Sequence, residues 1–187
     1  MKKVISVIVT TYNAEKSIAR TLGSILNQEG IGTEFEIELI VVDDCSTDQT
    51  VQIAKNYDPI LLSTEENSGG PNKGRNIGMR HASGDYICIM DHDDEWLPHK
   101  IISQLPFLQM APIVTSGCTF IDHTTNTKDR KVLKSENGFV HYAKNETFLN
   151  RLSRNFKNQN AYESSAIYWA GSKNILYEEY FGIMPTD

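Results

Sequence analysis

The sequence predicts an α/β domain, a Rossmann-like and mostly parallel sheet with helices on both faces. Three observations carry that expectation. Strand-like and helix-like segments alternate as β-α-β-α-β-α-β over residues 4–91, the order that builds parallel sheets. The main strand-like segments are β-branched and nearly continuously apolar, as strands covered on both faces must be. They also end abruptly in polar or acidic residues, which right-handed crossovers would bring to one edge, and open α/β sheets bind their ligands at such an edge.

In order, residues 4–9 form the first strand, ending at Thr10-Thr-Tyr-Asn13. Ile18, Leu22, Ile25 and Leu26 follow at helical spacing, with Asn13 or Glu15 near the helix start and Gly30 beyond its end. Residues 35–42 form a second strand ending in Asp43 and Asp44. Ser46-Thr-Asp-Gln49 has the form of a capping box and opens a helix through Tyr57. Residues 59–62 read as a third short strand, and the turn-rich loop 67–74 leads into a helix over about 73–81 that Gly84 stops. The central strand follows at residues 86–90 and runs straight into Asp91-His-Asp-Asp-Glu95. Pro98 lies early in a helix with Ile101, Ile102, Leu105 and Leu108, which Pro106 should end or kink. Residues 113–121 read as a further strand and 124–130 as a polar turn; beyond it come a short strand (138–142), a helix (146–152), and a strand and helix (161–170 and 173–180) that pack back on the sheet.

Composition limits what such a domain can do. The chain has 187 residues, 40% of them hydrophobic, and a formal net charge of -6, so it can bury a real core. Scattered basic residues on an acidic chain argue against a nucleic-acid partner, whose phosphates call for clustered Lys and Arg. Cys45, Cys88 and Cys118 show no paired spacing, which indicates neither a disulfide framework nor a zinc site. The apolar run after Met1 is of strand length only, too short for a signal-peptide core. A cytoplasmic placement is expected.

The candidate site is assembled from three strand ends. Thr10-Thr-Tyr-Asn13, Asp43-Asp44-Cys-Ser46 and Asp91-His-Asp-Asp94 should lie side by side. Tyr12 can stack on a base, Thr10 and Asp44 can hydrogen-bond base and ribose, and Asp91 and Asp93 can hold Mg2+ or Mn2+ on a diphosphate through oxygen ligands. Lys73 and Arg75, at the start of the third helix, would add positive charge where phosphates bind helix N-termini. Each residue also has a plain structural role open to it: packing for Tyr12, helix capping for Asp44, a solvated helix charge for Arg75. The histidines show no metal-ligand spacing, and alternation along an extended segment would turn His92 away from Asp91 and Asp93.

Val7-Ile-Val-Thr-Thr-Tyr-Asn13, Val41-Val-Asp-Asp-Cys-Ser-Thr-Asp48, Gly74-Arg-Asn-Ile-Gly78 and Gly84-Asp-Tyr-Ile-Cys-Ile-Met-Asp-His-Asp-Asp94 together resemble the ordered motif set of family-two inverting glycosyltransferases of GT-A fold. The likeness covers residues 4–98. It implies that Thr10, Tyr12 and Asp44 contact the nucleoside of a nucleotide-sugar donor, with uridine as the base, and that Asp91-His-Asp93 is the D-x-D motif with Asp93 as direct metal ligand. Cys45 stands where the family commonly has glycine. The resemblance further implies one catalytic domain over residues 1–187, with a donor half at 1–98 and an acceptor-side half at 99–187. The acceptor would be a glycan or lipid-linked glycan, used in the cytoplasm or at the cytoplasmic face of the membrane by peripheral association. Tyr177-Glu-Glu-Tyr-Phe-Gly182 and Pro185-Thr-Asp187 resemble the family's late segment, with threonine in place of the usual acidic neighbour. On that match Asp187 is the expected general base, and the chain is a catalytic domain cut short.

Other readings fit less well. A sugar nucleotidyltransferase should carry a glycine-rich basic loop after its first strand, and a haloacid-dehalogenase-type phosphatase should carry its D-x-D near that strand rather than on the fourth. A glycosyltransferase-like domain that binds a nucleotide sugar without turnover is the non-enzyme alternative, and metal-dependent hydrolysis of a donor separates it from an enzyme.

Overall fold

A computed structural model describes residues 2–110, 113–122, 127–131 and 167–169. The elements are β1 (Lys3–Thr11), α1 (Ile18–Leu26), β2 (Phe35–Asp43), α2 (Thr50–Ala54), β3 (Ile60–Ser63), α3 (Pro71–His81), β4 (Tyr86–Asp91), α4 (Lys100–Gln104), β5 (Ile113–Val114), β6 (Cys118–Asp122), β7 (Thr127–Lys131) and β8 (Ile167–Trp169). Six strands form one sheet in the order β3-β2-β1-β4-β8-β5. The first four positions are mutually parallel, and β8 runs antiparallel to both β4 and β5.

The register shows why the strand ends matter. Thr11 pairs with Asp43, Asp43 with Ser63, and Thr10 with Asp91, so the polar termini finish level at one edge. Below that edge the strands are apolar on both sides. Val7, Val9, Leu39, Val41, Cys88 and Met90 face a core with Ile18, Leu22 and Ile25 of α1, Ala54 of α2 and Ile101 of α4. Their alternate neighbours Ile8, Ile40, Val42, Ile87 and Ile89 face Met79 of α3. The period-two alternation of a strand thus sorts the side chains between two cores, and helices lie on both faces as expected.

Several boundaries differ from the sequence reading for local reasons. Helix α1 begins only at Ile18, because residues 14–17 form a turn in which Ser17 and Ile18 N–H donate to the Ala14 carbonyl. The expected capping box at Ser46 does not form: Ser46 Oγ donates to Asp43 Oδ1 at 2.5 Å, and Asp48 Oδ1 accepts the Thr50 N–H instead. Helix α2 is accordingly short and tightens into a 3-10 turn at Lys55–Tyr57. Helix α3 starts two residues earlier than expected, with Pro71 in its first turn. Pro106 falls in the 3-10 segment Leu105–Gln109 that ends α4, as its missing N–H requires. The strand expected over 113–121 is two strands in two sheets, and part of the expected polar turn is β7, paired antiparallel with β6. Strand β8 lies within the segment expected to return to the sheet. The elements expected at 138–142, 146–152 and 173–180 lie outside the described residues.

Helix α3 approaches β1 through glycine. A Cβ on Gly78 would stand 2.3 Å from Ile8 Cγ2, and one on Gly74 3.0 Å from Thr10 Cγ2. Lys2 and Lys3 close the opposite edge through ion pairs with Glu36 and Asp85. There Glu38 also accepts from Ser6 Oγ, Ser83 Oγ and the Ser83 N–H. Burial pushes the Glu38 pKa up, but these hydrogen bonds outweigh it and hold the carboxyl below its ordinary value. No helix among the described residues is long and apolar enough to cross a membrane.

Lys100 is the unusual core residue. It is 8% exposed, its Nζ lies 4.0 Å from the Trp96 ring centroid, and that Nζ has no hydrogen-bond partner among the described residues. Burial pulls its pKa from 10.5 down to about 8, a shift that the neighbouring Cys88 partly opposes.

Two predictions follow from this packing. Gly78→Ala should destabilise the domain by about 2 kcal/mol through overpacking against Ile8, despite alanine's better helix propensity; an unchanged urea midpoint would show that Ile8 repacks freely. For Lys100, the unfolded chain keeps its proton to a higher pH than the folded one, so the unfolded state binds more protons above pH 8 and stability rises with pH. The Cys88 thiol, pushed above its ordinary 9.0 by burial, works the other way at higher pH. Between pH 8 and 9 the parent should therefore gain about 1 kcal/mol relative to Lys100→Met. Parallel urea midpoints for the two proteins across that window would contradict the assignment.

Candidate functional site

The polar edge is built by two loops laced together and a third tethered to them. Beyond β1, the Asn13 N–H donates to Ser46 Oγ at 2.9 Å, the Ala14 N–H to Thr50 Oγ1 at 2.6 Å and the Glu15 N–H to Asp48 Oδ2 at 3.1 Å. In return Asn13 Oδ1 accepts the Thr47 N–H at 2.9 Å, and Glu15 Oε2 accepts the Gln49 N–H at 3.2 Å. Asn13 adopts φ 47° to make this turn, a conformation asparagine tolerates better than most residues. Tyr12, 45% exposed, stands at the rim of this clasp.

Asp43 and Asp44 play different parts. Asp43 is buried, and its carboxylate closes the turn by accepting both the N–H and the hydroxyl of Ser46. Asp44 is half-buried at the edge. Its N–H donates to the Thr11 carbonyl at 2.8 Å, while its carboxylate takes Thr64 Oγ1 at 2.7 Å and the Ser68 N–H at 3.0 Å to each oxygen. Directly after Asp44, Cys45 sits at φ 63°, the left-handed region where glycine costs nothing.

The third strand end carries the acidic turn. The Asp94 N–H donates to the Asp91 carbonyl at 3.2 Å, so residues 91–94 form a turn and not a continued strand, and strand alternation does not govern His92. Asp93 is exposed. Arg75 lies in the second turn of α3 rather than at its start; it is 8% exposed, and its Nη2 contacts Asp91 Oδ1 at 2.7 Å. It thus joins the site through a carboxylate. Lys73, in the first turn, is half-buried. Thr10 is 6% exposed and lies against α3 at Gly74. Asp187 lies outside the described residues.

Sequence reading missed the rack under the acidic turn. Helix α1 presents Arg20, Thr21, Ser24 and, just past its end, Gln28 along one stripe. Thr21 Oγ1 contacts the carbonyls of His92 and Asp94 at 2.7 and 2.8 Å, and Arg20 Nη2 donates to the Asp93 carbonyl at 3.2 Å. Ser24 Oγ accepts the Trp96 N–H at 3.1 Å, and Gln28 bridges the Leu97 carbonyl and the Ile101 N–H at 2.8 and 3.0 Å. Polar residues recurring on the helix stripe next to the buried one were the available signal.

Among the described residues no group of three or more His, Cys, Asp or Glu could hold a metal ion. Asp91 and Asp93 are the oxygen donors that one tight turn brings to this edge, the chemistry that Mg2+ or Mn2+ would call for alongside waters and phosphate oxygens.

A parallel β3-β2-β1-β4 sheet with an antiparallel strand beyond it and paired carboxylates on its polar edge is the GT-A arrangement of glycosyltransferases. The model of glycosyl transferase family 2 matches residues 6–178, and the chain belongs to that family. It is 48% identical over 93 residues to the poly(ribitol-phosphate) beta-N-acetylglucosaminyltransferase TarS of Staphylococcus aureus, a match covering 48% of this chain and 16% of TarS. The crystal structure of TarS 1–349 in complex with UDP superposes with a TM-score of 0.63 at 29% identity, covering 96% of this chain and 51% of that one. The mannosyltransferase PcManGT of Pyrobaculum calidifontis, in complex with GDP-Man and Mn2+, superposes with a TM-score of 0.56 at 25% identity over 62% of this chain and 36% of its own. The chain thus spans about half of the crystallised TarS fragment.

The rack yields its own expectation. Thr21→Val keeps the shape but removes the one hydroxyl proton that the His92 and Asp94 carbonyls share and should cost about 1–2 kcal/mol; Thr21→Ser should cost much less. Equal urea midpoints for the two variants would show that the hydroxyl does not hold the turn.

Proposed function

We propose that this domain transfers a sugar, with inversion, from a UDP-sugar to a glycan or lipid-linked acceptor. The observation that carries the reading is the register that sets Thr11 beside Asp43, Asp43 beside Ser63 and Thr10 beside Asp91, so that Tyr12, Asp44 and Asp93 follow within two residues of one edge of four parallel strands. Residues 1–98 form the donor half and 99–187 the acceptor-side half. The relative crystallised with UDP supports a uridine donor. The name of that relative supports a cell-envelope polymer as acceptor class.

Each residue's task follows from its setting. Tyr12 offers an exposed ring for the base, Asp44 an acceptor held from both sides, and Thr10 a nearby strand-end threonine packed on Gly74 of α3. Lys73 brings positive charge to the end of α3 that faces the same edge, where helix amides favour phosphate. Asp93 and Asp91 would hold Mn2+ or Mg2+. A bound cation there supplies Lewis-acid stabilisation of the charge that builds on a leaving diphosphate. Arg75 fixes the rotamer of Asp91 and offsets part of the carboxylate charge at the turn. The acceptor hydroxyl needs a base on the far side of the sugar, and the motif match assigns that role to Asp187. The reading keeps the protein in the cytoplasm, with peripheral contact to the membrane where a lipid-linked acceptor is used.

The test is release of UDP from UDP-sugars in the presence of Mn2+, together with thermal melting. With UDP and Mn2+ at about a hundred times their Kd, the parent should gain about 2.7 kcal/mol of stability. Asp93→Ala should lose the Mn2+-dependent part of that gain and keep its ligand-free melting temperature. Equal Mn2+ dependence in parent and variant would remove Asp93 from the metal, and a parent that neither binds nor cleaves any UDP-sugar would remove the proposed activity.

A further inference from the structure

The carboxylate of Asp44 is already largely engaged by its own chain, and the pattern of engagement bears on which base can pair with it. An aspartate carboxylate offers about four lone-pair positions, two on each oxygen. Thr64 Oγ1 takes one on Oδ1 at 2.7 Å, and the Ser68 N–H spans both oxygens at 3.0 Å. Among the described residues, that leaves Oδ1 filled and a single position open on Oδ2.

Thr64 is well placed to hold this arrangement. It follows directly on β3 and is 5% exposed. Its N–H extends the ladder to the Asp43 carbonyl at 3.0 Å, and its own carbonyl accepts Cys45 Sγ at 3.5 Å. Asn67 Nδ2 grips the Asp44 carbonyl at 3.2 Å. The threonine is therefore held at its N–H and at its carbonyl, and its hydroxyl, which also lies 3.6 Å from Cys45 Sγ, donates to the one carboxylate the donor reading assigns to the base.

We propose that Thr64 is a positioning residue that sets base specificity: by filling Oδ1, its hydroxyl leaves Asp44 able to accept one N–H and not two. Uracil offers a single imide N–H and fits. Guanine offers two adjacent donors, the N1–H and the exocyclic amine, and only one of them finds an acceptor, so the other is desolvated without a partner. The inference rests on the reading of Asp44 as the base contact. It adds the residue that makes this carboxylate selective, in a fold whose members with solved structures bind both UDP and GDP-Man.

The experiment measures dissociation constants of UDP, GDP and inosine diphosphate by calorimetry with Mn2+, on the full chain. Inosine diphosphate is purine-sized but has only the one N–H, so the GDP to inosine diphosphate ratio isolates the second donor from size. The parent should bind UDP best and inosine diphosphate at least as well as GDP. Thr64→Val should weaken UDP about tenfold and shift the purine ratio toward GDP about tenfold, since a freed Oδ1 accepts the second donor. Thr64→Ser should behave as the parent. Thr64→Ala should give the same shift, and it stands in if the valine variant does not fold. A residue with only a structural role would weaken all three nucleotides alike; an unchanged purine ratio, or GDP binding that stays unmeasurable in both hydroxyl-free variants, overturns the proposal. Asp44→Asn, run in parallel, separates the two levels: unchanged UDP affinity there removes the base contact itself, whereas lost affinity with an unmoved ratio in Thr64→Val removes Thr64 alone.

Discussion

The structure depends on the position of β1 at the centre of the parallel sheet, paired along most of its length with β2 on one side and β4 on the other. A strand there is closed on all sides. Its backbone is satisfied by two neighbours and its side chains are buried by α1 on one face and α3 on the other, so only apolar or small residues fit along it. Polar chemistry can therefore appear only where the strand stops. Because the three neighbouring strands stop level, Thr11, Asp43 and Asp91 arrive together without any loop having to search for them. Gly74 and Gly78 belong to the same constraint, since they let α3 sit close enough to seal the second face.

The ion pair between Arg75 and Asp91 ties this core to the chemistry. Leaving a buried guanidinium without its carboxylate costs about 3 kcal/mol in a fully buried pair; here the cost is smaller, because the Asp91 side chain is 41% exposed. Asp91 is thus counter-charge for α3, and on the proposed reading it is also an oxygen donor at the rim. Asp93 has no comparable structural task among the contacts of its turn, which α1 grips through backbone carbonyls. The two carboxylates of the motif are therefore not equivalent: substitution of Asp91 mixes folding with function, and substitution of Asp93 reports on the rim.

The strands and the order of elements through α4 were legible in the sequence because they rest on local pattern. Val4, Ile5, Val7, Ile8 and Val9 spell a doubly covered strand whatever surrounds them, and Ile18, Leu22 and Ile25 spell a helix face. What was not legible depends on partners distant in the chain. Ser46 and Gln49 have capping-box spacing, yet Ser46 bonds Asp43 and Asn13, and the N–H of Gln49 goes to Glu15. The polar stripe of α1 went unread because its partners lie some seventy residues away in sequence. The single strand expected over residues 113–121 failed for another reason: the segment serves two sheets, and periodicity cannot show a change of partner. That Tyr12, Asp44, Asp91 and Asp93 lie at or just beyond one sheet edge was readable from motif order, but the burial of Thr10 and Arg75 was not, since burial depends on α3 lying against both.

The same distinction explains why a cysteine can stand at position 45. Left-handed backbone costs a residue with a Cβ about 1 kcal/mol relative to glycine, and that cost persists only where surrounding contacts over-determine the turn. They do so here. Asp44 is tied to Thr11, Thr64, Asn67 and Ser68, Ser46 is tied to Asp43, and the Cys45 thiol reaches the Thr64 carbonyl. With its neighbours so fixed, residue 45 has no alternative conformation to relax into. On the proposed reading of Asp44, rigidity at this turn serves the base contact, because a carboxylate that presents a single acceptor position gains selectivity only if it does not rotate. The strain at Cys45 and the engagement of Asp44 thus belong to one tightly held turn, which the proposed reading uses to aim one oxygen.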